Sequence, residues 1–155
     1  MKENLPEKIV LTLIMVGWWL FLPVAGYSSL TDELCDATAH VTYMWSHANF
    51  WHLAGNLFVL WLIKGKMYLA PAIVIAWITS YLPAWSIYGE VGMTVGFSGV
   101  LFAIVGIKWG VAANLKRFST KALPFALIGI LIPHLNWCIH FYSMVAGYIY
   151  GRSSK

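Results

Sequence analysis

The chain has 155 residues, of which 60% are hydrophobic and only 10% are charged. A soluble globular domain carries about 25% charged residues, so the composition excludes an ordinary soluble domain and indicates an integral membrane protein. The net charge of +4 does not indicate nucleic-acid binding, because the basic residues are scattered in ones and twos and form no stripe.

Six apolar segments follow one another along the chain, and each is a candidate membrane-spanning helix. Crossing the hydrocarbon core of a bilayer takes roughly 17–25 residues of helix. The first, second and fourth segments meet this length, the third and sixth are a little short, and the fifth contains Lys121 and Pro124. The predicted spans cover residues 9–25, about 46–63, 67 to about 82, about 91–107, 118–133 and about 135–150.

The placement of charge tests this arrangement independently. All basic residues lie before the first span, in the second loop, in or next to the fourth loop, or after the sixth span. The other three loops contain no basic residue, and their acidic residues are Asp32, Glu33, Asp36 and Glu90. This asymmetry follows the positive-inside rule. It predicts that both termini are cytoplasmic and that even-numbered helices run inward. We expect one integral membrane domain over residues 1–155, with no soluble domain.

Polar side chains recur at one depth near the outer ends of three spans. His52 and Asn56 lie in the opening turns of the second span, Ser98 about seven residues into the fourth, and His140 about five into the sixth. At 1.5 Å per residue, all lie roughly 10 Å below the outer surface. Polar side chains inside a membrane are costly and usually mark a function.

Helical periodicity predicts which faces of the fourth and sixth spans meet. Both spans carry a stripe of small residues, and small faces allow two helix backbones to approach closely. We therefore expect Ser98 to lie beside His140 at the outer end of the contact. The stripes are Gly99, Ala103, Gly106 and Gly110 in the fourth helix, and Ser143, Gly147 and Gly151 after His140 in the sixth helix.

This pairing predicts nucleophilic chemistry. The Ser98 hydroxyl needs a base to take its proton, and His140 can act as one because histidine is the side chain whose unperturbed pKa lies nearest to neutral pH. An attacked carbonyl becomes an oxyanion, for which Asn56 and His52 offer N–H donors. Because no carboxylate lies at this depth, we expect a Ser–His dyad and no triad. Phe102, one turn after Ser98, is expected to pack on the His140 ring.

Three motifs therefore lie in order on predicted helices two, four and six: His47-x4-His52-x3-Asn56, Gly96-Phe97-Ser98-Gly99 and Trp137-x2-His140. This ordered set resembles the rhomboid family of intramembrane serine proteases. The resemblance implies a six-helix membrane bundle, and it implies a serine endopeptidase that works through an acyl-enzyme without cofactor or metal. The residues it implies are Ser98 as nucleophile, His140 as general base, His52 and Asn56 in the oxyanion site, and His47, Gly96, Gly99 and Phe102 in supporting positions.

The resemblance also implies partners and a location. The expected substrates are single-span proteins of the same bilayer, cut within or next to their transmembrane helix. The expected location is a bacterial inner membrane, with the active site opening toward the outer side. Two departures from the family pattern stand out, because Ser143 replaces a common glycine and Phe102 a frequent tyrosine.

Other interpretations remain open on sequence alone. An inactive rhomboid-like protein would bind transmembrane helices without cutting them, and a haem protein would use His52 and His140 as axial ligands. Cys35 and Cys138 both fall on the outer side, where a disulfide is conceivable. The sequence does not determine the oligomeric state.

Overall fold

A computed structural model describes residues 4–22, 37–89, 93–133 and 135–154, and within these ranges the regular structure is helical, with no β-strand. The predicted all-α fold class is confirmed there. Among these residues, no helix combines the length and the apolar character needed to cross a membrane. The chain divides into two compact units, Met1–Met67 with Val95–Ser98, and Tyr68–Thr94 with Gly99–Lys155.

The first unit contains helices α1 (Leu5–Phe21), α2 (Ala39–Thr42) and α3 (Phe50–Leu62). The ammonium group of Lys8 donates to the Trp61 carbonyl at 3.1 Å, which satisfies one of the last carbonyls of α3. At the other end, Trp18 Nε1 donates to the Ser46 hydroxyl at 3.0 Å. The start of α1 therefore lies beside the end of α3, and the two helices are antiparallel.

Helix α5 (Ser98–Ala112) begins with the last residue of the first unit, and the rest of it belongs to the second. The second unit also contains α4 (Leu69–Thr79) and α8 (Trp137–Ser153). Between α5 and α8 lies an irregular helical segment that corresponds to the fifth predicted span. It consists of α6 (Leu115–Arg117), a π-helical turn (Phe118–Ala122), α7 (Leu123–Leu127) and a 3₁₀ turn (Ile128–Leu131).

The irregular segment has a local cause. The Lys116 carbonyl accepts hydrogen bonds from the hydroxyls of Ser119, at 3.0 Å, and Thr120, at 2.8 Å. Hydroxyls that bond to a preceding carbonyl compete with the α-helical N–H. The backbone widens into a π turn at this point, where an α-helix would otherwise continue.

Helices α5 and α8 pack with their backbones in direct contact. A Cβ atom at any of four glycines would collide with a carbonyl oxygen of the facing helix. The predicted small-residue stripes are thus confirmed for these positions. The pairs are Gly106 with Met144, Gly110 with Tyr148, Gly147 with Ala103, and Gly151 with Ile107.

The fourth predicted span differs from the helix that forms. Val91 lies outside the described residues, and residues 93–97 are not helical. Gly96 has a φ of +116°, which a right-handed helix does not allow, and its N–H donates to the Tyr43 carbonyl at 2.8 Å. The prediction that Ser98 lies about seven residues into a helix is therefore wrong, because Ser98 is the first helical residue.

Candidate active site

Three predicted site residues meet in the first unit, where α3 begins. Asn49 caps this helix by accepting a hydrogen bond from the His52 N–H at 2.9 Å. His52 and Asn56 lie four residues apart and share one face of α3. Gly96 lies against both, because a Cβ atom built on it would be 2.6 Å from Nε2 of His52 and 3.3 Å from Nδ2 of Asn56.

The Asn56 side chain has a buried donor with no acceptor. Its exposed fraction is 5%, and Nδ2 finds no hydrogen-bond partner among the residues that the structure describes. Buried polar groups in native proteins nearly always have a partner, and exceptions often belong to functional sites. This N–H is suited to an acceptor that is brought in from outside the protein.

His47 supports this group from outside the helix. The sequence placed it on the second helix, but it precedes α3 and is 2% exposed. Nδ1 lies 3.1 Å from the Trp45 carbonyl, which can only accept, so Nδ1 carries a proton. The His47 and His52 rings meet edge to face, with their centroids 5.3 Å apart. His47 therefore restrains the His52 ring.

Ser98 follows a tightly packed aromatic residue. Phe97 is fully buried, and its ring centroid is 5.2 Å from that of Trp45. As the first residue of α5, Ser98 lies at the positive end of the helix dipole. A negative charge that develops near its hydroxyl is stabilised there. Gly99, the second residue of α5, is buried.

In the second unit, the predicted contact between Phe102 and His140 is present. The two rings stack with centroids 4.5 Å apart and an interplanar angle of 11°. His140 is the fourth residue of α8 and is 8% exposed. The α8 N-cap, Asn136, accepts from the Ile139 N–H at 3.3 Å and donates to the Thr94 hydroxyl at 3.0 Å. These bonds fix the turn that carries His140.

Sequence reasoning missed the partner of Ser143. The hydroxyls of Thr79 and Ser143 lie 2.8 Å apart, and both residues are buried. The bond joins α4 to α8 one turn after His140. Ser143, which departs from the family pattern, therefore has a structural partner. The sequence shows a threonine, Thr79, near the end of the third predicted span, but nothing in the sequence indicates that its hydroxyl pairs with Ser143.

Two further points concern possible ligands and cross-links. Within the described ranges, no three His, Cys, Asp or Glu side chains group closely enough to hold a metal ion. The disulfide interpretation involves Cys35, which lies outside the described residues. The Cys138 sulfur contacts the backbone N–H and carbonyl of Trp85, both at 3.4 Å.

Comparison with known proteins gives one match. A family model described as a Rhomboid domain matches residues 35–153, which is well over half of the chain. No curated protein matches the chain.

Proposed function

The chain belongs to the rhomboid family, whose members are integral membrane proteins and generally intramembrane serine proteases, and on this premise we propose that it is an intramembrane serine endopeptidase. In this proposal, Ser98 is the nucleophile and His140 the general base. His52 and Asn56 stabilise the oxyanion, with His47, Gly96, Gly99 and Phe102 in supporting positions.

One relationship carries the proposed pairing of Ser98 with His140. Phe102 stacks on His140 and lies four residues after Ser98 in α5. Residues four apart lie on the same face of a helix. This spacing supports the proposal that the Ser98 hydroxyl shares the face of α5 that carries Phe102.

The proposed reaction starts with a proton transfer from Ser98 Oγ to His140 while Oγ attacks the scissile carbonyl carbon. The carbonyl oxygen becomes an oxyanion, which the Asn56 amide, a His52 ring N–H and the Ser98 backbone N–H stabilise. His140 then gives its proton to the leaving amine, and an acyl ester on Ser98 remains. A water molecule, deprotonated by His140, hydrolyses this ester, releases the carboxylate product and restores the serine.

The proposed dyad has no carboxylate to orient His140, and we propose that Phe102 orients the imidazole instead. In a triad, the acid holds the imidazole in its working orientation. Here, the parallel ring of Phe102 restricts rotation of His140. The dyad thus relies on packing for an orientation that a triad obtains from a hydrogen bond.

The proposal extends to the membrane arrangement. Six spans place both termini in the cytoplasm, and the site opens toward the outer side of a bacterial inner membrane. Substrates are single-span proteins that enter from the bilayer. Cleavage is expected near small, helix-destabilising residues, because a scissile carbonyl must leave its helical hydrogen bond before Ser98 can attack it.

The test combines probe labelling with cleavage. Purified protein is treated with a fluorophosphonate probe and, in liposomes, is given a single-span substrate with a helix-breaking transmembrane segment. We expect wild type to be labelled and to cleave, and Ser98→Ala to do neither. Ser153→Ala, which changes an exposed serine at the end of α8, is the matched control and should behave as wild type. Labelling that persists in Ser98→Ala contradicts the proposal.

The same experiment distinguishes a protease from an inactive rhomboid-like protein that only binds transmembrane helices. A wild-type protein that binds the substrate but is neither labelled nor able to cut it is a helix-binding protein and not a protease.

A further inference from the structure

Four exposed basic side chains gather at one end of the second unit. Phe118 brings the two contributing segments together, because its ring stacks on that of Tyr148 with centroids 4.2 Å apart. Arg117 directly precedes Phe118, and Arg152 lies one turn beyond Tyr148 in α8. We name this set the cationic end, and its members are Lys116, Arg117, Lys121 and Arg152.

No acidic side chain lies near the cationic end in the sequence. From residue 93 to residue 155, the sequence contains no aspartate or glutamate. Within the described part of the chain, none of the four side chains forms an ion pair. Lys8 of the first unit differs, because its ammonium group is buried and donates to the Trp61 carbonyl. The charges of the cationic end are exposed and remain available to an external anion.

Arg117 and Lys121 lie at successive positions along the axis of the irregular segment between α5 and α8. Arg117 and Lys121 lie four residues apart across the π turn, so their side chains follow one another along the segment. A long lysine side chain whose helix enters the bilayer extends back toward the headgroups. In the membrane arrangement proposed above, the Lys121 ammonium group then reaches the level of the Arg117 guanidinium, which can hold a phosphate through two hydrogen bonds.

We propose that the cationic end binds the headgroup of an anionic phospholipid in the cytoplasmic leaflet. Basic side chains next to a membrane attract anionic lipids, and the attraction increases with each charge. The bound phosphate lies between segments that Phe118 and Tyr148 already hold together. This site depends on the membrane orientation of the proposed function and not on proteolysis.

The test measures lipid binding to the full-length protein in neutral detergent by native mass spectrometry. The probes are phosphatidylglycerol and phosphatidylcholine with identical acyl chains. Wild type should prefer phosphatidylglycerol, and Lys116→Gln/Lys121→Gln should bind it roughly tenfold or more weakly. Lys64→Gln/Lys66→Gln removes the same charge from another cytoplasmic loop and should stay within about twofold of wild type. Equal melting temperatures in detergent confirm that both variants are folded.

Three results would overturn this assignment. Equal loss of binding in the two double variants shows a general response to net charge. Equal binding of the two lipids removes the preference. Displacement of phosphatidylglycerol by soluble glycerol phosphate at equal concentration shows that free phosphate is the ligand. Ser98→Ala should bind phosphatidylglycerol as wild type does, so lipid binding and proteolysis can fail separately.

Discussion

The ring of Phe102 lies almost parallel to the ring of His140, with 4.5 Å between their centroids. If this contact orients the imidazole, Phe102→Ala should lower kcat by about tenfold and leave KM nearly unchanged, because the base is needed in the transition state. Phe102→Tyr keeps a ring and should retain most activity, whereas Phe102→Leu keeps only apolar bulk. Activity of the Leu variant equal to wild type would show that the ring itself is not needed.

Gly96 is expected to tolerate no side chain. Alanine at this position would collide with the His52 ring and would adopt a φ of +116°. Strained backbone of this kind costs about 1–3 kcal/mol before the collision is counted. Gly96→Ala should lower the melting temperature in detergent and reduce cleavage at least tenfold.

A control for this substitution exists on α3. A Cβ atom at Gly55 meets nothing within 4 Å, and alanine favours a helix over glycine by up to about 1 kcal/mol. Gly55→Ala should therefore be as stable as wild type or more so, with unchanged cleavage. A Gly96→Ala protein that cleaves normally would contradict the close approach of Gly96 to His52.

Because α5 and α8 pack closely, one added methyl group at their contact should lower the stability of the protein. Gly147→Ala places a Cβ against the Ala103 carbonyl, and overpacking of this kind costs about 1–3 kcal/mol. The expected result is a lower melting temperature in detergent. Gly17→Ala in α1 adds the same methyl group where nothing lies within 4 Å, and it should melt at the wild-type temperature or above it. Equal melting temperatures of the two variants would show that α5 and α8 do not pack as closely at Gly147 as the structure indicates.

The hydrogen bond between Thr79 and Ser143 can be measured by a double-mutant cycle with Thr79→Val and Ser143→Ala. Hydrogen bonds between membrane helices contribute about 0.6 kcal/mol on average and at most about 1.7 kcal/mol. We expect a coupling free energy of unfolding in this range. Additive effects of the two substitutions would mean that the hydroxyls do not interact.

The packing of α5 on α8 was predictable because it depends on a local pattern. Small residues at helical spacing define a stripe in each segment, and stripes of this kind pack closely. Gly106, Gly110, Gly147 and Gly151 indeed face a backbone. The position of Phe102 relative to Ser98 follows from the same periodicity.

The start of α5 was not predictable from hydropathy, because Val95 and Phe97 are apolar whether or not they are helical. The positive φ of Gly96 is incompatible with a right-handed helix, so α5 cannot extend back over the preceding apolar residues. The irregular fifth segment depends on two hydroxyls that share the Lys116 carbonyl. Thr79 and Ser143 are separated by 64 residues, and only the folded chain brings them together.

The unsatisfied amide of Asn56 has a consequence for inhibitor design and for engineering. A buried donor without an acceptor in the protein costs about 1–3 kcal/mol, so a side chain that serves the proposed oxyanion site is not the most stable choice at this position. Asn56→Leu should unfold at a higher temperature while losing activity, a trade-off common at functional sites. Compounds that present an acceptor to this N–H should raise the melting temperature of wild type more than that of Asn56→Leu.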